Sequence, residues 1–340
     1  MRALVCHAYG PIDSLKVEDI PQPVPKAGEV LVKVRAAGVS FAAMLGVQGK
    51  HQNKPALPYV PGNELAGHVV ALGDGVTNVA VGDRIATGVS QGAFAEYATA
   101  AAANLVPIPE IMPYAEATNF PTLYPTAYGA LKWKADLQPG EVLLVHGAGG
   151  GSGLTAIEVG KAMGAIVIAS AGGADKLKAA GEAGADHLID YRSEDLRTKV
   201  LEFTGGRGAD VIYDPVGGSA FDASLRCVAP EGRIIPMGFA SGTVPQIPAN
   251  ILLVKNVTVI GFYYGYWNGW GGKGVPSPKE AQALANRRAL VAAAQKELTQ
   301  WFTEGKLKAT VAATYDLADW VKAFRLIEER TVVGKAVLVP

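Results

Sequence analysis

A glycine cluster between an apolar run and a helical run is the segment of this chain best suited to bind a phosphate group. Residues 142–154 read VLLVHGAGGGSGL, and the helix-forming run TAIEVGKAMGA follows directly. This order predicts a strand, a tight turn and a helix, the entrance of a dinucleotide-binding βαβ unit. Glycines let the backbone turn sharply and let a pyrophosphate approach without a Cβ in the way. Free N–H groups and the positive dipole at the helix start then bind the phosphate charge.

The spacing of these glycines departs from the strict G-x-G-x-x-G pattern. Ser152 stands where a third glycine would follow Gly147 and Gly149. A G-x-x-G-x-x-G pattern does fit, with Gly147, Gly150 and Gly153 as its pivots. Because such a motif is weak by itself, its interpretation depends on the elements around it.

The end of the second predicted strand indicates which dinucleotide binds. NAD sites usually place Asp or Glu there, about 20 residues past the glycines, to hold the ribose 2′-hydroxyl. Here the strand ends at Ser170 and Ala-Gly-Gly follows, with no carboxylate at its tip. The absence of a carboxylate removes a repulsion against a 2′-phosphate. We therefore expect NADP rather than NAD.

Positive and aromatic side chains near this strand fit the same interpretation. Lys176 is within reach of a 2′-phosphate, although a solvated lysine on a helix face is an equally good interpretation, and Asp175 is expected to cap that helix. In IDYRSED, Tyr191 could lie against the adenosine ribose-phosphate with Arg192 nearby, or could be an ordinary turn residue.

Composition bounds the class of protein. The chain has 340 residues, of which 49% are hydrophobic, enough for two domains with a sizeable core. Its formal net charge is zero, so no basic excess favours a nucleic acid partner. No run approaches the roughly 18 apolar residues of a membrane span, and the N-terminal segment MRALVCHAYG is broken too early for a signal peptide. Two cysteines, Cys6 and Cys227, exclude a disulfide framework and favour a cytoplasmic location.

Two patterns of secondary structure follow each other along the chain. The first ~110 residues read as short strands typical of a distorted β-barrel. The predicted strands are 2–6, 15–19, 29–36, 66–71, 84–87, 93–99 and 105–107. From about Tyr114, apolar strands alternate with helices, which predicts a doubly wound parallel sheet. Its predicted strands are 142–146, 166–169, 187–189, 211–213, 233–237 and 258–261, with helices near 153–163, 175–183, 195–203 and 220–228. A long helix at 278–304 precedes strands near 309–315 and 335–339 and a helix near 318–328, which we expect to return to the first domain.

The whole chain resembles a medium-chain dehydrogenase/reductase of the zinc-independent NADPH:quinone oxidoreductase branch. The motifs that carry this resemblance are AAGVSF, PYVPGNELAGHVVALGDGV, GDRIA, GAFAEYA, TAYGAL, HGAGGGSG, GADHLIDYRSED, DVIYDPVGG and VVGKAVLVP. The resemblance implies an α/β protein with a GroES-like β-barrel catalytic domain and a Rossmann doubly wound parallel sheet. We assign residues 1–120 and 275–340 to the first domain and 121–274 to the second. The resemblance also implies an NADPH site in the cleft between the domains and a homodimer joined through the last Rossmann strand.

The resemblance further implies cofactor contacts where residues match the family motifs. The glycine turn would hold the pyrophosphate, and the end of the second strand would hold the 2′-phosphate. Later loops would contact the nicotinamide side. In that order, the residues are Gly150, Gly151, Ser152 and Gly153; Gly172, Gly173, Lys176 and Tyr191; and Ser40, Thr126, Gly238, Phe239, Ala240, Phe262, Tyr263 and Tyr264, with Lys335 as a further phosphate or ribose contact.

No zinc site is expected. Zinc favours thiolate and imidazole ligands in a tetrahedron, and two cysteines cannot supply a four-cysteine loop. By the resemblance, Ser40 and Asn63 stand where the family's zinc enzymes have ligands. Cys6 and Cys227 are then expected to be buried thiols.

A metal-free site favours a conjugated acceptor. Hydride addition to a quinone or an α,β-unsaturated carbonyl spreads charge onto an oxygen that hydrogen-bond donors can stabilise. The candidate donors are Ser40, His51, Tyr59, Tyr124 and Tyr264. Ser40 matches the family position beside the nicotinamide, whereas His51 is better read as a loop imidazole, and Tyr59 and Tyr124 could equally be core aromatics. The family's Asp is replaced by Ala43, and its loop tyrosine by His51.

Two further features leave alternatives open. The aromatic segment 262–272 could line a flat acceptor pocket, which we expect of Tyr264, or pack an interface, which we expect of Trp267 and Trp270.

An enoyl-thioester (acyl-CoA) substrate would require a basic entrance, to which Lys50, Lys54, Lys273 and Lys279 could contribute. A non-catalytic, NADPH-binding structural protein is the alternative of another class, favoured by the altered loop.

Overall fold

The computed structural model describes residues 1–269 and 277–340. Their contacts form two compact units, one of Met1–Thr122 with Ala309–Pro340 and one of Leu123–Lys308. The long helix is placed differently from the sequence-based division, which put residues 275–340 in the first domain. It belongs to the second unit, because it packs on the helix Leu123–Tyr128.

The first unit is built on β-structure, as the short alternating runs predict. Its strands are Arg2–Val5, Lys16–Asp19, Glu29–Val39, Glu64–Leu72, Arg84–Gly88, Tyr97–Ala101, Val106–Pro107, Val311–Asp316 and Lys335–Val339. Glu29–Val39 is the centre of the larger sheet, because it pairs antiparallel with three strands, Glu64–Leu72, Tyr97–Ala101 and Lys335–Val339. Leu4, Val32, Phe94 and Phe324 are among the buried side chains of its core.

Short helices complete this unit. They are Ile12–Ser14, Phe41–Val47, Ala102–Asn104, Tyr114–Ala117, Leu317–Asp319 and Trp320–Glu328. The helix Phe41–Val47 was not predicted, because its seven residues give too short a pattern to show a helical period. It forms because the side chain of Ser40 caps its first turn and its inner face is buried.

The second unit contains six parallel strands. They are Val142–His146, Ile166–Ala171, His187–Asp190, Ala209–Asp214, Val228–Pro236 and Thr258–Val259. Numbered along the chain, their order in the sheet is 3-2-1-4-5-6, and each pair is parallel. This order confirms the doubly wound sheet. Ligands bind such sheets at the carboxyl ends of strands 1 and 4, where the order reverses.

Helices connect these strands and cover the sheet. They are Leu123–Tyr128, Gly151–Ala162, Ala174–Glu182, Leu196–Phe203, Ser219–Cys227, Ala249–Lys255, Tyr264–Trp267 and Pro278–Thr303, with a π-helical turn at Gly129–Lys134. Within the described ranges, no helix combines the length and the apolarity that crossing a membrane requires. The strand Thr258–Val259 lies at one edge of the sheet. The homodimer expected at this edge stays a prediction, which the molecular mass in solution tests.

A buried ion pair crosses the central strand of the first unit. The ammonium of Lys335 donates to a carboxylate oxygen of Glu64 and to the carbonyl oxygen of Thr118, 3.0 Å away. The pair lies over Gly38, where a Cβ would collide with the Lys335 side chain. Glycine is therefore required at this strand position, because the two flanking strands exchange a charge pair above it.

We predict that Lys335→Met lowers the free energy of unfolding by about 3–5 kcal/mol, because it leaves the buried Glu64 carboxylate without its counter-charge. Urea denaturation measures this loss. Lys322→Met is the matched control, since Lys322 forms an exposed ion pair in the same unit and should change stability little. Unchanged stability of Lys335→Met would contradict the structural role of the pair.

Candidate functional site

The turn between the first parallel strand and its helix is closed by backbone contacts that require glycine. Gly147 has a φ of +57°, and its carbonyl oxygen accepts the N–H of Gly150 at 3.0 Å. A Cβ on Gly153 would collide with that same carbonyl oxygen. The helix Gly151–Ala162 therefore starts directly against the turn, and its N-cap residue, Gly150, has no side chain that could cap it. The first N–H groups of a helix lack intrahelical acceptors, so this helix end suits an anion.

The next helix of the sheet lies over the same turn. A Cβ on Gly149 would stand 2.5 Å from the Cβ of Lys176. Lys176 is in the first turn of the helix Ala174–Glu182. The predicted cationic residue therefore lies beside the glycine turn, and its contact with a 2′-phosphate stays a prediction.

The end of the second strand is covered by a phenol and a guanidinium. Tyr191 Oη and Arg192 Nε each lie 2.7 Å from the point where a Cβ on Gly172 would stand. Arg192 Nη1 lies 3.0 Å from the equivalent point on Gly173, whose φ is +95°. Tyr191 is 57% exposed. The two predicted glycines thus leave room for an aromatic ring and a positive charge at the strand end.

Arg192 is the residue that sequence reasoning placed nearby without making it a site residue. The signal was the Tyr-Arg pair directly after the third strand, His187–Asp190. Its significance depends on the third strand lying next to the second, which the sheet pairing establishes. Arg192 is thereby added to the candidate cofactor residues.

Buried polar side chains underlie the carboxyl ends of strands 1 and 4. Asp214 Oδ1 accepts the N–H groups of Val216 at 2.8 Å and Gly217 at 3.0 Å, which fixes the loop of the DPVGG motif. His146 lies 2.8 Å from Ser224 Oγ through its Nε2. Burial lowers the pKa of His146, although the Asp214 charge opposes this shift. The imidazole is therefore neutral and structural at physiological pH.

The loop after strand 5 lies beside the loop after strand 4. The N–H of Ala240 donates to the carbonyl of Pro215 at 3.1 Å, and that of Ser241 to the carbonyl of Val216 at 2.9 Å. The side chain of Phe239, in the loop after strand 5, has 43% of its surface exposed. Gly238, Phe239 and Ala240 thus stand at the carboxyl edge of the sheet, as predicted.

The described part of the aromatic segment, residues 262–269, makes ring contacts within the second unit. Trp267 stacks on Trp133 with ring centroids 4.7 Å apart and also contacts Phe262, while the interface role expected of Trp267 stays a prediction. Tyr264 is buried, its hydroxyl hydrogen-bonds with Asn268 and Gln295, and burial raises its pKa to about 12.

The pocket-lining role expected of Tyr264 is therefore replaced by packing, and its candidacy as a proton donor is weakened in the same way. Tyr263 is half exposed. Trp270, Gly272 and Lys273 lie outside the described residues.

In the first unit, Ser40 keeps a proton that it can donate. Its Oγ accepts the N–H of Ala43 at 3.1 Å and caps the helix Phe41–Val47. Accepting this bond uses a lone pair and leaves the hydroxyl proton for another partner. Ala43, which replaces the family's Asp, is buried on the inner face of this helix.

His51 also has a donor to offer. Its Nδ1 lies 3.1 Å from the backbone nitrogen of Asn53 and 3.3 Å from the Asn53 carbonyl oxygen, so both of these contacts use Nδ1 and neither uses Nε2. The ring is half-buried in the loop after the helix. Ser40 and His51 thus remain the two candidate donors among the residues predicted in this unit.

The two predicted catalytic tyrosines are engaged elsewhere. Tyr124 is buried and donates to Glu158 Oε2 at 2.5 Å, while Glu158 also accepts the N–H of Lys308. Tyr59 is buried beside Cys6, and burial raises its pKa. Both side chains therefore act as core aromatics with satisfied hydroxyls, which was the alternative interpretation.

The structure also places the two remaining predicted cofactor contacts, Thr126 and Lys335. Thr126 lies half-buried on the helix Leu123–Tyr128, and its contact with the nicotinamide side stays a prediction. Lys335 is corrected, because its ammonium is committed to the buried pair with Glu64 and not to a phosphate or ribose. In the ranges 1–269 and 277–340, no cluster of His, Cys, Asp or Glu could hold a metal ion.

Comparison with known proteins agrees with this geometry. Residues 26–110 match a family model described as "Alcohol dehydrogenase GroES-like domain", and residues 151–273 match one described as "Zinc-binding dehydrogenase". A Nematostella vectensis protein named quinone oxidoreductase-like protein 2 homolog is 38% identical over 340 residues, covering 99% of this chain and 88% of that protein.

Two solved structures are similar over the whole chain. The Escherichia coli quinone oxidoreductase in complex with NADPH has a TM-score of 0.88 and 28% identity, with 100% of both chains covered. A mycobacterial protein in complex with NADPH has a TM-score of 0.87 and 32% identity, again with 100% of both covered. Since the domain models, the relative and the folds agree, this chain belongs to the medium-chain dehydrogenase/reductase superfamily and, within it, to the quinone oxidoreductase branch.

Proposed function

We propose that this chain is an NADPH-dependent, zinc-independent reductase that transfers hydride to a quinone or an α,β-unsaturated carbonyl compound. The observation that supports the choice of NADPH is the guanidinium of Arg192 over Gly172 and Gly173. An NAD enzyme would place a carboxylate at this strand end, where it would repel a 2′-phosphate. Here a cation and a phenol stand there instead. The NADPH held by two structurally similar proteins supports the same choice.

The second unit fits a dinucleotide for steric reasons. The first turn of the helix Gly151–Ala162 offers uncapped N–H groups to a pyrophosphate. Side chains at Gly149 or Gly153 would collide with neighbouring atoms. Arg192, Tyr191 and Lys176 then bind the phosphate on the adenosine ribose, and the backbone of Phe239 and Ala240 is available to the nicotinamide side.

The proposed reaction consumes one hydride and one proton for each acceptor. NADPH, when bound, supplies the hydride. The chain's own contribution is to donate hydrogen bonds to the acceptor oxygen on which negative charge develops. Ser40 Oγ–H is our first choice for this donor, because its proton is not used by the helix cap. His51 Nε2 is the second choice, because both contacts of the ring with Asn53 use Nδ1. The proton then comes from one of these groups or from water.

The residues at the family's metal positions fit metal-free chemistry. Ser40 caps a helix, and the Asn63 amide donates to the carbonyl oxygen of Ser90 at 3.2 Å. A neutral hydroxyl and an amide N–H donor are poor zinc ligands. A conjugated acceptor needs no Lewis acid, because its own π-system spreads the charge.

The two alternatives make different demands. An enoyl-thioester substrate would use a basic entrance, and Lys50, Lys54 and Lys279 are exposed. These lysines show no further feature that distinguishes them from ordinary surface lysines. A non-catalytic role would follow from the loss of the family's Asp at Ala43, but the retained cap and donor of Ser40 favour an enzyme.

We expect the purified protein to oxidise NADPH with a naphthoquinone or a short enone. The experiment follows NADPH absorbance with these acceptors and crotonyl-CoA in parallel, before and after treatment with a chelator. Activity with the quinone or enone that survives chelation is the expected result. Activity confined to crotonyl-CoA would favour the thioester alternative. Tight NADPH binding without turnover would favour the non-catalytic one, and restoration by zinc after chelation would refute the metal-free mechanism.

We predict that Arg192→Gln weakens NADPH binding by about 10- to 100-fold and leaves NADH binding nearly unchanged. A hydrogen bond to a charged group is worth about 1.5–3 kcal/mol, and only NADPH has the 2′-phosphate. Fluorescence titration with each coenzyme measures both constants. Lys176→Ala should shift the same preference in the same direction. Arg197→Gln is the control, because this arginine lies exposed on the following helix. An equal loss for NADPH and NADH would contradict the assigned role.

We predict that Ser40→Ala lowers kcat by about 100-fold, as removal of an oxyanion donor does. It should also lower stability by about 0.5–2 kcal/mol, because the helix cap is lost. Ser40→Thr should retain both properties. Ser277→Ala, which removes the cap of the helix Pro278–Thr303, controls for the stability effect alone. A Ser40→Ala enzyme with full kcat and reduced stability would mean that the cap is this residue's only role.

A further inference from the structure

A buried phenol reaches the helix end where we place the pyrophosphate. Tyr213, on the fourth parallel strand Ala209–Asp214, has no exposed surface. Its hydroxyl oxygen lies 2.9 Å from Oγ of Ser152, the second residue of the helix Gly151–Ala162. No function described above uses this contact, and Tyr213 was not among the residues that the sequence singled out.

The direction of this hydrogen bond follows from burial. A buried hydroxyl proton needs an acceptor, and in the described part of the chain Ser152 Oγ is the one in contact with Tyr213. Burial raises the pKa of Tyr213 to about 12, so the proton is present throughout the physiological range. Tyr213 therefore donates and Ser152 accepts.

We propose that Tyr213 is a positioning residue that directs the Ser152 hydroxyl proton toward a phosphate oxygen of the bound dinucleotide. Its donation occupies one lone pair of Ser152 Oγ, and the Ser152 proton is then available to a second acceptor. This inference rests on the proposed cofactor site. No bond between heavy atoms forms or breaks, since the role concerns binding only.

The N-terminus of the helix Gly151–Ala162 indicates that the second acceptor, the one for the Ser152 proton, is an anion. The uncapped N–H groups of the first turn and the helix dipole favour a negative charge beside Ser152. A chain from Tyr213 through Ser152 to an anionic oxygen strengthens each of its bonds by polarisation. The strict glycine pattern offers no hydroxyl at this position, so the link comes from Ser152 in combination with Tyr213.

The ligand group is the pyrophosphate, which NADPH and NADH share. The Tyr213–Ser152 link should therefore raise the affinity for both coenzymes equally. Arg192, in contrast, acts on the 2′-phosphate that only NADPH has. The two contributions are separable by comparing the coenzymes.

A double-mutant cycle tests the proposal. Dissociation constants for NADPH and NADH are measured by fluorescence titration for the wild type, Tyr213→Phe, Ser152→Ala and the double variant. We expect Tyr213→Phe to weaken both coenzymes by about three- to ten-fold and Ser152→Ala by about ten-fold. The double variant should be no weaker than Ser152→Ala alone, because Tyr213 acts through Ser152. Tyr128→Phe is the control, since it removes another buried tyrosine hydroxyl, the one that donates to Glu297.

The outcomes separate this inference from the proposed function. A wild type that binds neither coenzyme overturns both. A wild type that binds them, with additive effects of the two substitutions or an effect confined to NADPH, overturns the inference alone. If thermal unfolding shows that Tyr213→Phe does not fold, Ser152→Ala decides, because unchanged affinity for both coenzymes would remove the last link of the chain.

Discussion

The close approach of three backbone segments around the first turn of the helix Gly151–Ala162 is the constraint on which the rest of the site depends. The turn folds back on itself at Gly153, and the following helix lies against Gly149. A side chain at either position would push the helix away from the carboxyl ends of strands 1 and 4. The helix dipole would then no longer point at the place where the strand order reverses, which is where a doubly wound sheet binds its ligand.

We attribute the proposed preference for NADPH over NADH to local charge and not to the overall charge of the chain. The chain is formally neutral, so no long-range field attracts an anionic coenzyme. Arg192 instead places a positive charge directly at the end of the second strand, because its guanidinium and the Tyr191 ring occupy the space that Gly172 leaves. The carboxylate of Asp190 accepts a hydrogen bond from the backbone N–H of Arg192 at 3.0 Å. This bond fixes the turn from which the guanidinium projects. The selectivity that we propose for a 2′-phosphate would therefore depend on one turn whose geometry is set by two neighbouring strands.

The sequence predicted the elements more accurately than the contacts between them. Alternating apolar runs and helices predict the parallel sheet, because each buried strand is nearly continuous in apolar residues. The helix after Ser40 was missed, since its pattern covers barely two turns. Lys335 was assigned to a phosphate or ribose contact because its motif, VVGKAV, matches the family. Only the sheet pairing shows that Glu64 lies across Gly38 from it. The importance of Arg192 likewise depends on a strand neighbour that sequence spacing does not reveal.

Burial also explains why residue type alone overestimated the number of proton donors. Tyr59, Tyr124 and Tyr264 each have a hydroxyl suited to proton transfer, yet each is buried with a partner for that hydroxyl. A buried phenol that already donates to a carboxylate, as Tyr124 does, would have to lose that bond before it could serve a substrate, and the buried Glu158 carboxylate would lose one of its hydrogen bonds. Ser40 avoids this cost, because the bond that it makes in the protein uses a lone pair and not its proton. His51 avoids it because its contacts with Asn53 use Nδ1 and not Nε2. A side chain can therefore donate to a substrate only if its hydrogen bonds within the protein leave its proton unused. Side chains whose protons are already donated within the protein stabilise the fold instead.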